Sequence, residues 1–207
     1  MFKYLSTKIT LLALLSAVTL SAQIKQFSLS GTYAPFINTI NATEINNSAV
    51  GVSLEYEYKS LKHVSFGIEV DWQKYDSEEV YLKSNQPSNL LMLYYTIERN
   101  QFNLRPIFRY YWKEDLKGFY VGAFGVYSTL IALPKESPDV SSYPTKTSKS
   151  AYKSAAGLGL TYGYRFNLTP RFKVSAFGNH QIVLSDLYDD DGAHQDHQFG
   201  LGFSWMF

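Results

Sequence analysis

The sequence predicts an all-β chain folded as an eight-stranded, antiparallel, up-and-down transmembrane β-barrel. Three observations predict it. Stretches of the chain alternate strictly between apolar and polar side chains, the connections between them are by turns short and long, and aromatic residues gather at their ends.

The first segment stands outside this pattern. Lys3 and Lys8 give a basic start, Ile9 to Leu20 is apolar, and Ser21-Ala22 precedes Gln23. That order is expected of a secretory signal peptide with a small-residue cleavage site. The apolar run is shorter than the roughly 20 residues a spanning helix takes. The expected division is therefore a signal peptide over residues 1–22 and a single barrel domain over residues 23–207.

The strands follow in order. Phe27, Leu29, Gly31 and Tyr33 alternate with Ser28, Ser30 and Thr32, a first strand over Phe27–Ile37. Val50, Val52, Leu54, Tyr56 and Tyr58 alternate with Gly51, Ser53, Glu55, Glu57 and Lys59. Val64, Phe66, Ile68, Val70 and Trp72 repeat the pattern against Ser65, Gly67, Glu69, Asp71 and Gln73. A period of two is a strand signal and not a helical one. Phe102, Leu104, Pro106, Phe108, Tyr110 and Trp112 continue it against Gln101, Asn103, Arg105, Ile107, Arg109 and Tyr111. Pro106 has no N–H to give a ladder and predicts a bulge. Phe119 to Ile131 is apolar on both faces, which leaves its phase open. Ala156 to Phe166 alternates around Gly157, Gly159, Thr161, Gly163 and Arg165. Phe172, Val174 and Ala176 oppose Lys173, Ser175, Phe177 and Asn179, and Phe199 to Phe207 closes the set.

The short connections are Ser60–His63, Lys113–Gly118 and Asn167–Arg171; the long ones are Asn38–Ser48, Ser77–Asn100, Ala132–Ala151 and Asp186–Gln198. Short turns on one side of a membrane and long loops on the other are the habit of transmembrane barrels. Tyr58, Tyr110, Trp112, Phe119, Tyr164, Phe166, Phe172 and Phe207 fall beside the short turns, and Tyr33, Trp72, Tyr127 and Tyr152 towards the long loops. These are two aromatic girdles.

A secreted soluble barrel with its apolar face inward has the same alternation. Volume separates the two. An eight-stranded barrel encloses room for side chains or one small ligand, and the rings among 17 Tyr and 14 Phe exceed it. The opposite faces are rich in Gly and Ser, which suit a narrow lumen. Composition excludes other classes. With Lys3 and Lys8 removed, 17 basic residues face 18 acidic ones, so nothing points to nucleic acid. Cysteine is absent, which removes disulfides, thiolate metal sites and cysteine nucleophiles. No cofactor is called for. The polar face places Glu55, Glu57, Glu69 and Asp71 with Lys59, Arg105, Arg109, Arg165 and Lys173 in the lumen. Opposite charges in so narrow a space are expected to pair into a plug, because unpaired buried charge is costly.

The ending Phe199-Gly200-Leu201-Gly202-Phe203-Ser204-Trp205-Met206-Phe207 resembles the C-terminal assembly signal of outer-membrane proteins. The resemblance implies that Phe199, Leu201, Phe203, Trp205 and Phe207 are read by the barrel-assembly machinery. Leu104-Arg105-Pro106-Ile107-Phe108-Arg109-Tyr110-Tyr111, Gly118-Phe119-Tyr120-Val121-Gly122-Ala123 and Ala156-Gly157-Leu158-Gly159-Leu160-Thr161-Tyr162-Gly163-Tyr164 are similar to PorT-like outer-membrane β-barrel families common in Bacteroidota. The architecture resembles the OmpA transmembrane domain and OmpX. These likenesses imply residence in the bacterial outer membrane, with outer-membrane lipid as the surrounding partner.

The expected role is that of a non-enzymatic outer-membrane protein, structural or partner-binding through its outer loops. Two alternatives are a component of a secretion or assembly complex and a lipid A-modifying enzyme. For the enzyme, His180 falls at the depth of a deacylase histidine, but the serine required two positions later is Ile182, and no catalytic residue is assigned. In the last long loop Asp189, Asp191, His194 and His197 are weak candidates for a cation, although the spacing does not fit a calcium loop. Leu90 to Ile97 is apolar on both faces, and Leu91, Leu93 and Tyr95 are candidates for binding a protein partner by strand addition.

Overall fold

The computed structural model describes residues 24–39, 48–76, 78–82, 93–136, 151–184 and 193–207. Among the described residues there are nine strands: β1 (Lys25–Thr39), β2 (Ala49–Lys59), β3 (Val64–Tyr75), β4 (Glu78–Leu82), β5 (Leu93–Lys113), β6 (Lys117–Glu136), β7 (Ala151–Asn167), β8 (Phe172–Leu184) and β9 (Ala193–Met206). Every pairing is antiparallel. The order β3-β2-β1-β9-β8-β7-β6-β5-β4 closes on itself through β3–β5. β4 pairs with the far end of β5, so it prolongs the stave begun by β3 and the barrel has eight staves. No helix among the described residues is long and apolar enough to cross a membrane.

The burial is inside out. Outward side chains are large and apolar, with Leu158 72 % and Phe203 66 % exposed, while Arg105 and Lys173 are 0 % exposed within. Closure has a physical cause: no water reaches a bilayer core to satisfy peptide groups, so only a sheet without edges survives there. Rings meet along the short-turn end, Phe27–Phe207 stacked at 5.7 Å and Trp112–Phe119 tilted at 4.9 Å between centroids.

Three expectations are corrected, and the open phase of the Phe119–Ile131 strand is fixed. Pro106 makes no bulge: β3–β5 keeps its register through Ile68↔Pro106, and β5–β6 keeps it from Leu104↔Tyr127 to Ile107↔Phe124. The ladder merely opens opposite Gly125, whose missing Cβ would lie 3.6 Å from the proline Cγ. The proline-associated bulge is in β1, where the register against β9 shifts between Tyr33 and Phe36, across Pro35. Secondly, three long connections are shorter than the pattern suggests, because β4, the start of β5, the end of β6 and the start of β9 run into them. Thirdly, β6 turns Tyr120, Phe124, Val126 and Leu130 inward, where all four are buried. Finally, the lumen is therefore not only small and ionic. Its apolar clusters are Ile107, Phe124, Val126, Leu130 and Val183 with their neighbours, and Tyr111, Leu116 and Tyr120.

Inner glycines make space for these rings. A Cβ on Gly159 would strike the Phe124 ring, one on Gly163 the Tyr120 hydroxyl, and one on Gly200 the Phe177 ring. A ring laid across a neighbouring strand's glycine packs the sheet where the glycine itself offers nothing.

Replacing Ile68, midway along the outward face of β3, with Arg is expected to cost about 2–4 kcal/mol of unfolding free energy in micelles or bilayers. Leu61→Arg, in an exposed short turn, is expected to cost within about 0.5 kcal/mol. Equal costs would contradict an outward face bathed in hydrocarbon.

Candidate functional site

The lumen is built as layers of inward side chains. At the short-turn end Glu57 is the hub. Its carboxylate accepts hydrogen bonds from Gln26 Nε2 at 2.7 Å, Tyr111 Oη at 2.8 Å, Arg165 Nη1 at 2.8 Å and the Ser65 hydroxyl. Arg109 Nη1 lies 3.4 Å from the same carboxylate and grips Glu55 with both terminal nitrogens. Register sets this up, since Glu57 pairs with Gln26 on one side and with Gly67 on the other. The guanidinium groups also lie against rings: Arg109 is 5.2 Å from the Tyr120 centroid, and Arg165 is 5.5 Å from those of Tyr111 and Tyr120. Such contacts favour a desolvated cation.

The next layer centres on Arg105. It donates to Glu69 at 2.5 Å, lies 3.2 Å from Asp71, and sits 5.4 Å from the Phe124 ring centroid. Asp71 Oδ2 also accepts from Asn103 at 2.8 Å and Gln73 at 2.9 Å. Beyond it the network turns neutral through Gln101, Ser128 and Tyr75. Asp196 accepts from Gln181 at 3.1 Å and Gln198 at 3.2 Å, and is buried inside.

The structure thus brings together Glu55, Glu57, Arg109 and Arg165 in one group and Glu69, Asp71 and Arg105 in another. Lys173 and Lys59 stand apart at the turn. Lys173 Nζ donates to the carbonyls of Asp115 and Leu116, and Lys59 Nζ is 3.5 Å from Asp115. Asp115 and Leu116 have positive φ, 65° and 51°, which folds the turn inward and buries Leu116 beneath Tyr111 and Tyr120. Missed by reading the sequence were Asp196, counted there as loop, and Tyr120 and Phe124 on the strand of open phase. The signal for Asp196 was available: it is in phase with Gln198, Gly200, Gly202 and Ser204.

At the opposite rim, His180 and His197 face outward on β8 and β9. His63 is in a short turn, its Nδ1 3.0 Å from the Tyr111 carbonyl oxygen. Of the cation candidates, Asp189 and Asp191 lie outside the described residues, and His194 is the second residue of β9, which carries His197 outward and Asp196 inward. Leu91 lies outside the described residues; Leu93 and Tyr95 belong to β5, paired there with Leu82 and Val80 of β4. Phe199, Leu201, Phe203, Trp205 and Phe207 all face outward at the β1–β9 seam.

The family profile described as outer membrane protein beta-barrel domain matches residues 9–207. Among solved structures, Ail of Yersinia pestis, in complex with the heparin analogue sucrose octasulfate, is similar at TM-score 0.55 and 11% identity, over 89% of this chain and 98% of that one. OprG of Pseudomonas aeruginosa is similar at TM-score 0.53 and 11% identity, over 90% and 96%. No curated protein sequence matches.

Two outcomes test this interior. Glu57→Met and Arg165→Met are each expected to cost about 3–5 kcal/mol, because each strands a buried charge. Combined, they are expected to cost less than the sum by about 1–3 kcal/mol, read from denaturant unfolding of refolded barrel; strict additivity would refute the pairing. The second concerns the turn. Hydrogen bonding to Lys62 holds the Glu114 carboxyl below its ordinary 4.5; partial burial raises that of Asp115, but Lys59 and Lys117 outweigh it and hold it below 3.8. A lowered carboxyl stabilises the fold above its ordinary value and loses that contribution as pH falls through the lowered one. Amide exchange at Leu116 and Lys117, corrected for intrinsic rate, is expected to accelerate below about pH 4 while the strand ladders stay protected.

Proposed function

Because the chain belongs to the outer membrane protein beta-barrel domain family, and so resides in the bacterial outer membrane, we propose that it is a non-enzymatic barrel that is structural or binds a partner through its outer loops. One observation carries this reading: the lumen is occupied by buried, mutually paired side chains from Glu57 up to Gln101. An aqueous channel needs about twice as many strands, so work is directed to the outer rim. We extend the likeness to PorT-like families, on the motifs of β5, β6 and β7, to the same proposal, and with it recognition of the β9 aromatics by the assembly machinery.

The β4–β5 hairpin supports the partner reading. β4 hydrogen-bonds to β5 along one edge, and no other described strand pairs with it. A free edge is a template for an added strand. This favours membership of a larger outer-membrane complex over lipid A chemistry, for which Ile182 stands where a serine is needed.

Extraction in mild detergent is expected to retain a protein partner, and Leu91→Lys/Leu93→Lys to release it while the barrel keeps its heat-modifiable mobility. Unchanged co-purification would remove the hairpin from the interface. Lipid A mass spectra that change on deletion of the gene would replace this reading with an enzymatic one.

A further inference from the structure

The outward face of β8 and β9 carries a feature that the partner reading does not use. His180 and His197 are directly opposed in the ladder. Their ring centroids are 4.2 Å apart at an interplanar angle of 34°, and their Nδ1 atoms are 3.2 Å apart. A head-on N–H···N contact at that separation would hold the ring centres much farther apart. The rings lie side by side and the two Nδ1 atoms approach obliquely, close enough for one to donate to the other in the matching tautomer.

The position is the edge of the apolar band. Outward along β9 from the short-turn end run Phe207, Trp205, Phe203, Leu201 and Phe199, and the next two outward residues are His197 and Gln195. Strands rise about 3.3 Å per residue and tilt about 40° in such barrels, which places the pair roughly 20–25 Å above Phe207. That is the height of the whole apolar band, about 25 Å. On β8 the outward face runs on past His180 to Ile182 and Leu184, so the pair opens to the outside on the β9 side, where Gln195 follows His197.

The geometry points to a divalent transition-metal site at the outer rim, in which His180 Nδ1 and His197 Nδ1 chelate Zn²⁺, Ni²⁺ or Cu²⁺ and water fills the other positions. At a metal–nitrogen distance of about 2.0–2.1 Å, tetrahedral coordination separates two donor nitrogens by about 3.3 Å, against 3.2 Å here. Imidazole suits these metals, whereas Ca²⁺ and Mg²⁺ take oxygen. In the tautomer with the proton on Nε2 each Nδ1 offers a lone pair, and a cation held between the two takes the place of the hydrogen bond that joins them. The ladder of β8 and β9 fixes the two Cα atoms, so the bite is set before the metal arrives. Bound metal ties β8 to β9, one stave from the seam at which β9 meets β1.

Untagged barrel, refolded in detergent, is to be titrated with Zn²⁺ by calorimetry and with Cu²⁺ by electron paramagnetic resonance. The expected result is one metal per barrel, with two nitrogens coupled to Cu²⁺. His180→Gln and His197→Gln are each expected to weaken binding at least about tenfold and to leave one coupled nitrogen, with His63→Gln unchanged. Heat-modifiable mobility checks that each variant folds. If one does not, Zn²⁺ protection of both rings from diethyl pyrocarbonate in the unaltered protein decides, and absence of protection overturns the site. Binding no tighter than in the His180→Gln/His197→Gln double variant overturns it too. So does binding that survives both single changes and is lost in His194→Gln, which would assign the metal to the neighbouring segment.

Discussion

Everything in this fold depends on one constraint: a backbone in hydrocarbon has no solvent to bond with. Each N–H and C=O must find its partner in the protein, and in a sheet that is possible only if the first and last staves meet. The meeting of β1 with β9 is therefore a condition of the barrel's existence and not one contact among many. Closure in turn dictates the inside. Eight staves leave a core too narrow for solvent to circulate freely, so polar side chains forced inward by the two-residue period have to satisfy one another. Glu57 meets this by taking donors from three other staves, β1, β5 and β7, as well as from Ser65 on its neighbour β3.

How far the sequence revealed this varies with the residue. Along β2, β3, β7 and β9 one face is apolar and the other small or charged, and the pleat alone assigns sides. Glu55, Glu57, Glu69, Asp71, Arg105 and Arg165 were placed on a common face by that logic, and the structure adds which meets which. Pair choice depends on register, and register depends on turn geometry and on the bulge at Pro35, neither of which the alternation encodes. β6 was illegible for a different reason. Tyr120 and Phe124 are as apolar as the lipid-facing Phe119 and Val121, so no polarity contrast marks the inward side; the glycines that accommodate them, Gly163 and Gly159, are on β7. Asp196 was hidden by its surroundings. It follows a run of aspartates and reads as loop until β9 is seen to begin at Ala193.

The interior is not uniform along its axis. Near the short turns, charges are dense, paired and laid against Tyr111 and Tyr120. Beyond Arg105 they give way to amides and hydroxyls, with a patch of aliphatic side chains beside them. The first region is expensive to disturb, because a single deletion strands a charge in a desolvated place. In the second, neutral groups predominate, and the loss of one of these costs less. Outside, the surface changes over the same distance from aromatic rings to the imidazole pair, so the end that fixes the barrel and the end that meets the environment are chemically distinct.

The seam has a consequence for biogenesis. Gln26 pairs with Met206, and Phe27 with Trp205, across almost the whole length of the barrel domain. Such contacts carry a large loop-closure entropy and form late. Until β9 arrives, the assembling chain is an open ribbon with two sticky margins, β1 and β8, each able to recruit a stranger. Export must deliver the final strand promptly, or keep both margins chaperoned, and a premature stop codon anywhere in β9 would turn a membrane protein into an aggregation seed.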